Sequence, residues 1–251
     1  MPVPAMFDRG AAHYDLLVGL NPGYHAELRR AAVALAERTT SANGGPRVID
    51  LACGSGASTR ALLDALPGAT VRGLDASAGM LAQARAKEWP DGVRFEEATA
   101  GALDVDGLGR GRWDGVLTAY LYRNVAAADR ARALAEVFAL LAPGSWLVVQ
   151  EYSVRGRREA RWRWNAVCWL GIIPLGVLLD RNLGLYTYLW RSVLDFDSVQ
   201  EFGDRLAAAG FVDIARHDAD GWQRGILHTF VARKPGEGPA REEGRGATDG
   251  R

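Results

Sequence analysis

One short segment, residues 48–59 with the sequence VIDLACGSGAST, carries residue types that suit a nucleotide-like ligand. An apolar run contains Asp50, and a Gly-x-Gly follows at Gly54 and Gly56 before a helical pattern begins. Glycines at a strand-to-helix turn let the backbone approach a ligand, and the amino end of the helix favours polar or anionic groups. The segment therefore predicts a cofactor at this turn, although the same glycines could serve only to make a tight turn.

The spacing within this segment narrows the choice of cofactor. Thr59 stands where a dinucleotide fingerprint needs a third small residue, and no Gly-Lys-Ser/Thr follows to make a phosphate-binding loop. S-adenosylmethionine instead places a zwitterionic methionine over such a turn, and its ammonium and carboxylate groups suit Asp50 and the backbone near Ala52. We therefore predict S-adenosylmethionine as the cofactor, with Gly54 and Gly56 at its site.

A second acid, Asp75, occurs 19 residues after Gly56, at the end of the next apolar run. An acid in this place can accept hydrogen bonds from both ribose hydroxyls of a nucleotide. Ala76 follows it into the predicted site, and Met80 offers a polarizable side chain for the face of the adenine. Asp75 could alternatively act only as a cap for the helix that begins near Ser77.

The elements that would position these residues follow a regular pattern. Short apolar runs alternate with helical patterns, which predicts an α/β fold with right-handed crossovers and a mostly parallel sheet. Residues 1–46 are predicted to be a helical lead-in and residues 236–251 a disordered tail. Residues 47–235 are predicted to form the cofactor-binding domain, with a cap inserted at about 153–195. Its strands are predicted at 48–52, 70–74, 93–96, 113–119, 146–150, 211–219 and 225–232, the last two antiparallel at one edge.

The composition is that of a globular protein, with 48% hydrophobic and 24% charged residues. The 30 basic and 30 acidic side chains cancel, so charge gives no reason to expect a nucleic acid partner. A small or amphiphilic substrate is expected instead. Cys53 and Cys168 have neither a metal-ligand nor a disulfide-scaffold spacing, and the first residues lack a signal-peptide pattern. These features favour a cytoplasmic protein with no bound metal.

Six further segments resemble the ubiquinone/menaquinone-biosynthesis C-methyltransferases in their order and approximate spacing. They are FDRGAAHYDLL from Phe7, AYLYRNV from Ala119, LAPGSWLVVQEYS from Leu141, YTYLWRSV from Tyr186, AAGF from Ala208 and GILHTF from Gly225. The resemblance covers most of residues 6–233. It implies a Rossmann-like class I methyltransferase fold, with a seven-stranded, mostly parallel sheet, helices on both faces and a helical lid.

The resemblance also implies roles for particular residues. It places Tyr14 near the methionine end of the cofactor and Thr99 beside the adenine, where Asp or Asn is usual in the family. It places Arg123 and Asn124 on the substrate side of the fourth strand, and implies that the methyl acceptor is a ring carbon of a prenylated quinol. Around the cofactor it places Asp50, Ala52, Gly54, Gly56, Asp75 and Met80.

Methyl transfer from a sulfonium needs no metal, but a quinol carbon becomes nucleophilic when a phenolic proton leaves. We predict that Arg123 stabilises the oxyanion or orients a water, that His228 is a titratable catalytic group, and that Tyr122 and Tyr188 orient the ring. Each residue has a structural alternative. Arg123 could form an ion pair at the strand end, His228 could be a hydrogen-bonded structural residue, and the tyrosines could cap an aromatic core.

Residues 166–179 form an apolar run that is broken by Gly171, Pro174 and Gly176. It is shorter than the roughly 20 residues needed to span a bilayer. It is predicted to be a buried cap helix or, alternatively, a lid over a prenyl tail. Five arginines at residues 155–163 precede it and could rest on anionic headgroups as a peripheral membrane contact, recognise a prenyl diphosphate, or be solvated.

The leading hypothesis is therefore an S-adenosylmethionine-dependent enzyme of menaquinone biosynthesis that C-methylates a prenylated quinol or a related isoprenoid or aromatic acceptor. One alternative is a natural-product methyltransferase with another acceptor, acting by O-methylation or by methylating a prenyl diphosphate. A second alternative is a non-catalytic scaffold that retained the cofactor fold. The intact set of Asp50, Gly54, Gly56 and Asp75 argues against a scaffold, which has no chemical need for them.

Overall fold

The computed structural model describes residues 23–40, 45–180 and 182–236. Within these residues the strands are β1 (Arg47–Leu51), β2 (Thr70–Asp75), β3 (Val93–Glu97), β4 (Trp113–Ala119), β5 (Leu141–Tyr152), β6 (Val212–Asp218) and β7 (Leu227–Arg233). The helices are α1 (Tyr24–Ala36), α2 (Ala57–Ala65), α3 (Ala78–Arg85), α4 (Val105–Leu108), α5 (Arg130–Leu140), α6 (Arg158–Val167), α7 (Ile173–Asp180), α8 (Leu183–Asp195) and α9 (Val199–Ala208). Tyr14, and residues 1–22 and 237–251 of the predicted lead-in and tail, lie outside the described residues.

The strands form one sheet in the order β3-β2-β1-β4-β5-β7-β6. The first five strands of this order are parallel, and β7 runs antiparallel between β5 and β6. The order of strands reverses between β1 and β4, which opens a crevice at their carboxyl ends, where α/β sheets bind ligands. The predicted seven-stranded, mostly parallel sheet with an antiparallel edge is confirmed.

Alternation of side chains along the strands gives the sheet two apolar faces. One face carries Val48 and Leu117 and packs against α1 and α2. The opposite face carries Ile49 and Val116 and packs against α5 and α9. Helices therefore cover both faces, as expected, and the carboxyl ends of β1, β2 and β4 are held together at one end of this double-layered core.

The fifth strand is longer than its pattern indicated. β5 begins at Leu141, whereas the sequence predicted a strand at 146–150. Gly144 takes a left-handed conformation with φ of 82°, and the pairing with β4 shifts register between Trp113 and Gly115. A local shift of this kind lets a strand continue through a turn-forming Pro-Gly pair.

The cap consists of α6, α7 and α8 and lies between β5 and α9. The apolar run 166–179, predicted to be a buried cap helix, is helical with a π turn at Cys168–Ile172, but it is not buried, since Leu170 and Leu178 are largely exposed. Asp197, at the end of the cap, accepts hydrogen bonds from Arg130 Nη1 at 2.8 Å and Arg205 Nε at 2.7 Å. This buried ion cluster fixes the end of the cap to the sheet domain. Among the described residues, no helix is both long and apolar enough to cross a membrane.

Candidate active site

The turn after β1 has a backbone that favours small residues. Gly54 and Gly56 have φ values of 53° and 92°, and Ala52 also lies in the left-handed region with φ of 66°. A Cβ atom at Gly56 would lie 2.7 Å from Cζ2 of Trp89, and one at Gly54 would lie 3.1 Å from Cε of Met80. Both glycines adopt a conformation that favours glycine, and at Gly56 the Trp89 ring also leaves no space for a Cβ, so the turn exposes its backbone to a ligand.

Asp50 lies wholly buried beneath this turn. Its Oδ2 accepts hydrogen bonds from Ser58 Oγ at 2.8 Å and Thr59 Oγ1 at 2.5 Å, whereas Oδ1 has no hydrogen-bond partner within the described residues. Burial raises the pKa of Asp50 to about 7, against the opposing effect of the two hydroxyls. A cation bound above the turn would favour the ionised carboxylate, which fits the ammonium group of S-adenosylmethionine.

Asp75 ends β2 and connects two loops. Its Oδ2 accepts the backbone N–H of Gly54 at 2.8 Å, and its Oδ1 accepts that of Ser77 at 2.8 Å. The side-chain cap of α3 is Ser77, whose Oγ accepts the N–H of Met80. A carboxylate has about four acceptor sites, so Asp75 can hold both loops and still accept further hydrogen bonds from ribose hydroxyls.

A cleft opens at the carboxyl ends of β1, β2 and β4. One half, which we call the cofactor half after the role expected of its residues, is lined by five of the residues predicted from the sequence and by Ser77, Leu51, Ala98 and Ala100. The five predicted residues are Ala52, Gly54, Asp75, Ala76 and Met80. Three other predicted residues do not line the cleft: Asp50 and Gly56, in β1 and the turn after it, and Thr99, which lies between Ala98 and Ala100.

The other half, which we call the acceptor half after its expected role, includes Arg123 and Asn124, on the 3₁₀ turn Tyr122–Asn124 that follows β4. Arg123 Nη1 donates to Glu151 Oε1 at 2.9 Å and to the carbonyl oxygen of Tyr120 at 3.0 Å. The side chains are 8% exposed for Arg123 and fully buried for Glu151. Burial raises the pKa of Glu151, and the Arg123 charge opposes that rise. The predicted ion pair at the strand end is therefore present, and Arg123 nevertheless faces the cleft.

Tyr188 brings the cap to the same turn. Its hydroxyl donates to Asn124 Oδ1 at 3.0 Å, and Asn124 Nδ2 donates to the carbonyl oxygen of Tyr120 at 2.8 Å. Burial raises the pKa of Tyr188, so the phenol stays protonated and able to donate at neutral pH. Tyr188 thus contacts a residue of the cleft wall and does not itself line the cleft.

Two other predicted side chains lie away from the cleft. His228 is fully buried in β7, with Nδ1 2.8 Å from Asp218 Oδ1 and Nε2 3.2 Å from the Ser153 carbonyl oxygen. Burial lowers the pKa of His228, against the opposing effect of Asp218. Tyr122 is also fully buried and packs against Phe202 at a ring distance of 5.2 Å. These surroundings favour the structural alternative for both residues.

An aromatic stack borders the acceptor half. Tyr24 of α1, Tyr120, Tyr152 and Trp164 of α6 follow one another at ring distances of 5.3, 5.1 and 5.3 Å. The Arg123 guanidinium lies 5.5 and 5.7 Å from the rings of Tyr120 and Tyr152. The stack thus connects α1, the ends of β4 and β5, and α6 of the cap beside the guanidinium of Arg123.

Sequence reasoning missed three supporting residues: Glu151, Tyr120 and Trp89. Glu151 did leave a signal, since an acid directly after the apolar run Trp146 to Gln150 at a strand end must find a partner. Tyr120 has φ of 61°, which no sequence pattern reports. Within the described residues, no group of three or more His, Cys, Asp or Glu side chains could hold a metal ion.

The chain is similar to known methyltransferases along most of its length. Residues 2–234 match the model of the ubiE/COQ5 methyltransferase family. The chain is 39% identical over 212 residues to the demethylmenaquinone methyltransferase of Thermus thermophilus, covering 82% of this chain and 91% of that protein. It is 32% identical over 219 residues to the ubiquinone/menaquinone biosynthesis C-methyltransferase UbiE of Geobacter sulfurreducens, covering 85% and 82% of the two chains.

The fold also matches solved structures. Phosphoethanolamine N-methyltransferase 2 of Haemonchus contortus, solved in complex with S-adenosyl-L-methionine, superimposes with a TM-score of 0.62 at 17% identity, over 91% of this chain and 57% of that one. This likeness concerns the fold alone. It confirms the predicted class I fold. The family match over nearly the whole chain confirms the predicted methyltransferase activity. The chain belongs to the ubiE/COQ5 methyltransferase family.

Proposed function

We propose that this enzyme transfers the methyl group of S-adenosylmethionine to a ring carbon of a prenylated quinol of the demethylmenaquinol type. One observation carries the proposal: a single cleft joins the glycine turn and Asp75 to the Arg123–Asn124 turn. The relatives from Thermus thermophilus and Geobacter sulfurreducens bear names for methyl transfer in quinone biosynthesis, which supports this choice of acceptor.

The cofactor half of the cleft fits S-adenosylmethionine. Asp75 is suited to the ribose hydroxyls, Met80 and the small side chains of Ala98 and Ala100 to the adenine, and the turn at Gly54 to the methionine end. Tyr14 and Thr99 are further proposed contacts at the methionine and adenine ends. When bound, S-adenosylmethionine supplies a methyl group on an already activated sulfonium, so these residues need only bind and align it.

The acceptor half supplies charge stabilisation. In the overall reaction a carbon–methyl bond forms at the ring carbon, the sulfonium–methyl bond breaks to leave a neutral thioether, and the hydrogen of that ring carbon leaves to the medium as a proton. The quinol carbon becomes a better nucleophile as its phenolic oxygen gains negative charge, and the fixed cation of Arg123 stabilises that charge. Asn124, held by Tyr188, is placed to donate or accept a hydrogen bond at the same ring. His228 is left out of this mechanism because it is buried beyond the cleft.

The test is methyl transfer with labelled S-adenosylmethionine and reduced demethylmenaquinone. We expect a labelled product whose methyl group is bonded to a ring carbon, as located by mass spectrometry and NMR. Label on a phenolic oxygen would contradict C-methylation. Label on a prenyl diphosphate, with none on the quinol, would replace the acceptor. S-adenosylhomocysteine titration of the same sample checks that the protein is folded and binds the cofactor product.

We further propose that the cap rests on a membrane surface, from which a prenylated acceptor would reach the cleft. Eight large apolar side chains are exposed across residues 23–40, 45–180 and 182–236, and six of them belong to the cap. Leu170 is 84% exposed, Leu178 78% and Trp162 71%. The other three are Trp169, Leu175 and Leu183.

Exposed arginines around this surface favour anionic lipids. Arg158 and Arg161 are exposed on α6 beside Trp162, and Arg155 is also exposed. Exposed apolar and Trp side chains flanked by arginines are typical of elements that lie in the interface of an anionic bilayer. The helices α6 and α8 border the acceptor half through Trp164 and Tyr188, so this orientation places the cleft next to the lipid.

Vesicle flotation tests this orientation. The protein should float with vesicles of phosphatidylcholine and phosphatidylglycerol, less with phosphatidylcholine alone, and less at high salt because screening weakens the arginine contacts. Leu170→Glu and Leu178→Glu should each weaken binding by about tenfold or more, since each removes an inserted leucine. Val33→Glu, the same kind of change at an exposed apolar residue on α1, is the matched control. Equal binding by all three variants would overturn the proposed surface.

A further inference from the structure

We propose that Glu151 is a positioning residue for methyl transfer, which acts by holding Arg123 at the wall of the acceptor half. The inference rests on the proposed function of Arg123, yet it makes a separate claim about a side chain that does not line the cleft. Glu151 lies near the end of β5 and contacts the turn after β4.

Glu151 uses both carboxylate oxygens on its neighbours. Oε1 accepts from Arg123 Nη1 at 2.9 Å and from the backbone N–H of Tyr152 at 3.0 Å. Oε2 accepts from the backbone N–H of Arg123 at 3.2 Å. The same carboxylate therefore fixes the main chain of Arg123 and the end of its side chain, which sets both ends of a long and otherwise flexible group.

These bonds can be satisfied only by a carboxylate. Every partner of Glu151 in this group is an N–H donor, and a glutamine would have to turn its amide NH2 toward one side of the set. In one orientation the glutamine NH2 would face the backbone N–H of Arg123. In the other it would face Arg123 Nη1 and the backbone N–H of Tyr152, so in either case N–H donors would meet a donor instead of an acceptor. The negative charge also offsets the guanidinium, which is only 8% exposed.

Stabilisation of a phenolate requires that the Arg123 guanidinium be held in one position. A positioned cation lowers the energy of a developing negative charge only if it does not have to move during the reaction. Arginine has many rotamers, so an unheld Arg123 would spread over several positions and lose part of that effect. Tyr120, whose carbonyl oxygen accepts from Arg123 Nη1, fixes the guanidinium from a second direction.

Glu151→Gln tests the proposal. We expect kcat with reduced demethylmenaquinone to fall by about 10- to 100-fold, the loss of a hydrogen bond to a charged group. The affinity for S-adenosylhomocysteine should stay within about twofold, because Glu151 lies outside the cofactor half. In the Arg123→Ala background, Glu151→Gln should cause no further loss of kcat, since a residue that acts through Arg123 has nothing left to position.

Two controls separate positioning from structural support. Glu27→Gln makes the same change at a buried carboxylate whose partner, Arg30, lies outside the cleft lining, and should lower stability without lowering the kcat of the folded enzyme. Glu151→Asp keeps the charge and should recover part of the activity. Wild-type kcat in Glu151→Gln, or full multiplication of the two losses in the double variant, would overturn the proposal.

A spectroscopic readout keeps this inference distinct from the choice of acceptor. Side-chain NMR of Arg123 should show restricted rotation of the guanidinium NH2 groups in the wild type and averaged signals in Glu151→Gln. Averaged signals in the wild type would contradict a held guanidinium, whichever acceptor is used. An inactive wild type with a restricted Arg123 would instead reject the acceptor and retain the positioning role.

Discussion

The two halves of the cleft are built in different ways. The cofactor half comes from one continuous stretch, from β1 to the residues after β3, and presents mainly backbone, small side chains and Asp75. The acceptor half depends on side chains from separate places: Arg123 and Asn124 after β4, Glu151 in β5 and Tyr188 in the cap. The first half is fixed by local backbone geometry, whereas the second depends on long-range contacts. Changes in the two halves should therefore affect different steps.

The largest effect is expected from Arg123→Ala. Loss of a cation that stabilises the phenolate should lower kcat by about 10²- to 10³-fold. S-adenosylhomocysteine affinity should change little, because Arg123 belongs to the acceptor half. Steady-state kinetics and calorimetry on the same preparation check both statements, and the calorimetric stoichiometry reports the folded fraction. An equal loss of affinity would show that the two halves are not separate.

Asp75→Asn is the complementary change in the cofactor half. The amide keeps the shape but loses the charge and half of the acceptor sites, so S-adenosylhomocysteine should bind about 10- to 100-fold more weakly. At saturating S-adenosylmethionine, kcat should remain within a few-fold of the wild type. A large fall in kcat at saturation would place Asp75 in the chemical step.

Asp50 predicts a pH effect on stability. Its pKa is about 7 in the folded protein and 3.8 when unperturbed, so the folded state binds the proton more tightly over that range. Protonated Asp50 therefore contributes its full amount to the free energy of unfolding below the unfolded pKa. This contribution falls as the pH rises through the folded pKa of about 7. Between pH 5 and pH 8 the wild type should lose about 2.5 kcal/mol relative to Asp50→Asn. Urea unfolding of both proteins without cofactor measures this difference, and parallel curves would contradict the raised pKa.

The smallest effect is expected from Tyr188→Phe, which removes the hydrogen bond from the cap to Asn124. One neutral hydrogen bond contributes about 0.5–1.5 kcal/mol, so kcat should fall by about 2- to 12-fold. Cofactor affinity should not change. If kcat falls as far as in Arg123→Ala, Tyr188 has a direct role in the reaction and the cap is part of the chemistry.

The sequence predicted the cofactor half well because the information there is local. Gly54, Gly56 and Asp75 lie within a short stretch, and their spacing follows from one strand-turn-helix unit and the next strand. Thr59, used at first only to exclude a dinucleotide, has a positive role in the structure because its hydroxyl bonds to Asp50. The positions of the strands, the mostly parallel sheet and its antiparallel edge also followed from the pattern of apolar runs, whereas the order of the strands across the sheet came only from the structure.

The acceptor half was harder to predict because its contacts join distant positions. Nothing near Arg123 in sequence indicates Glu151, and nothing near Asn124 indicates Tyr188. His228 had the right chemistry for a catalytic group, but its burial depends on how β7 is covered, which periodicity does not report. The π turn at Cys168–Ile172 likewise depends on how α7 packs against α8, where the Tyr186 ring leaves no room for a Cβ at Gly176.

The buried pair of Arg123 and Glu151 also limits how the enzyme can evolve. Replacing either residue alone leaves a charge in the interior without its partner, which costs about 3–5 kcal/mol. During evolution both positions would have to change together, because a variant with only one of the two substitutions would be poorly folded. Substitutions on the cap side meet no such barrier, because the loss of one neutral hydrogen bond is small. We therefore expect descendants with new acceptors to vary around Tyr188 while Arg123 and Glu151 are inherited as a unit.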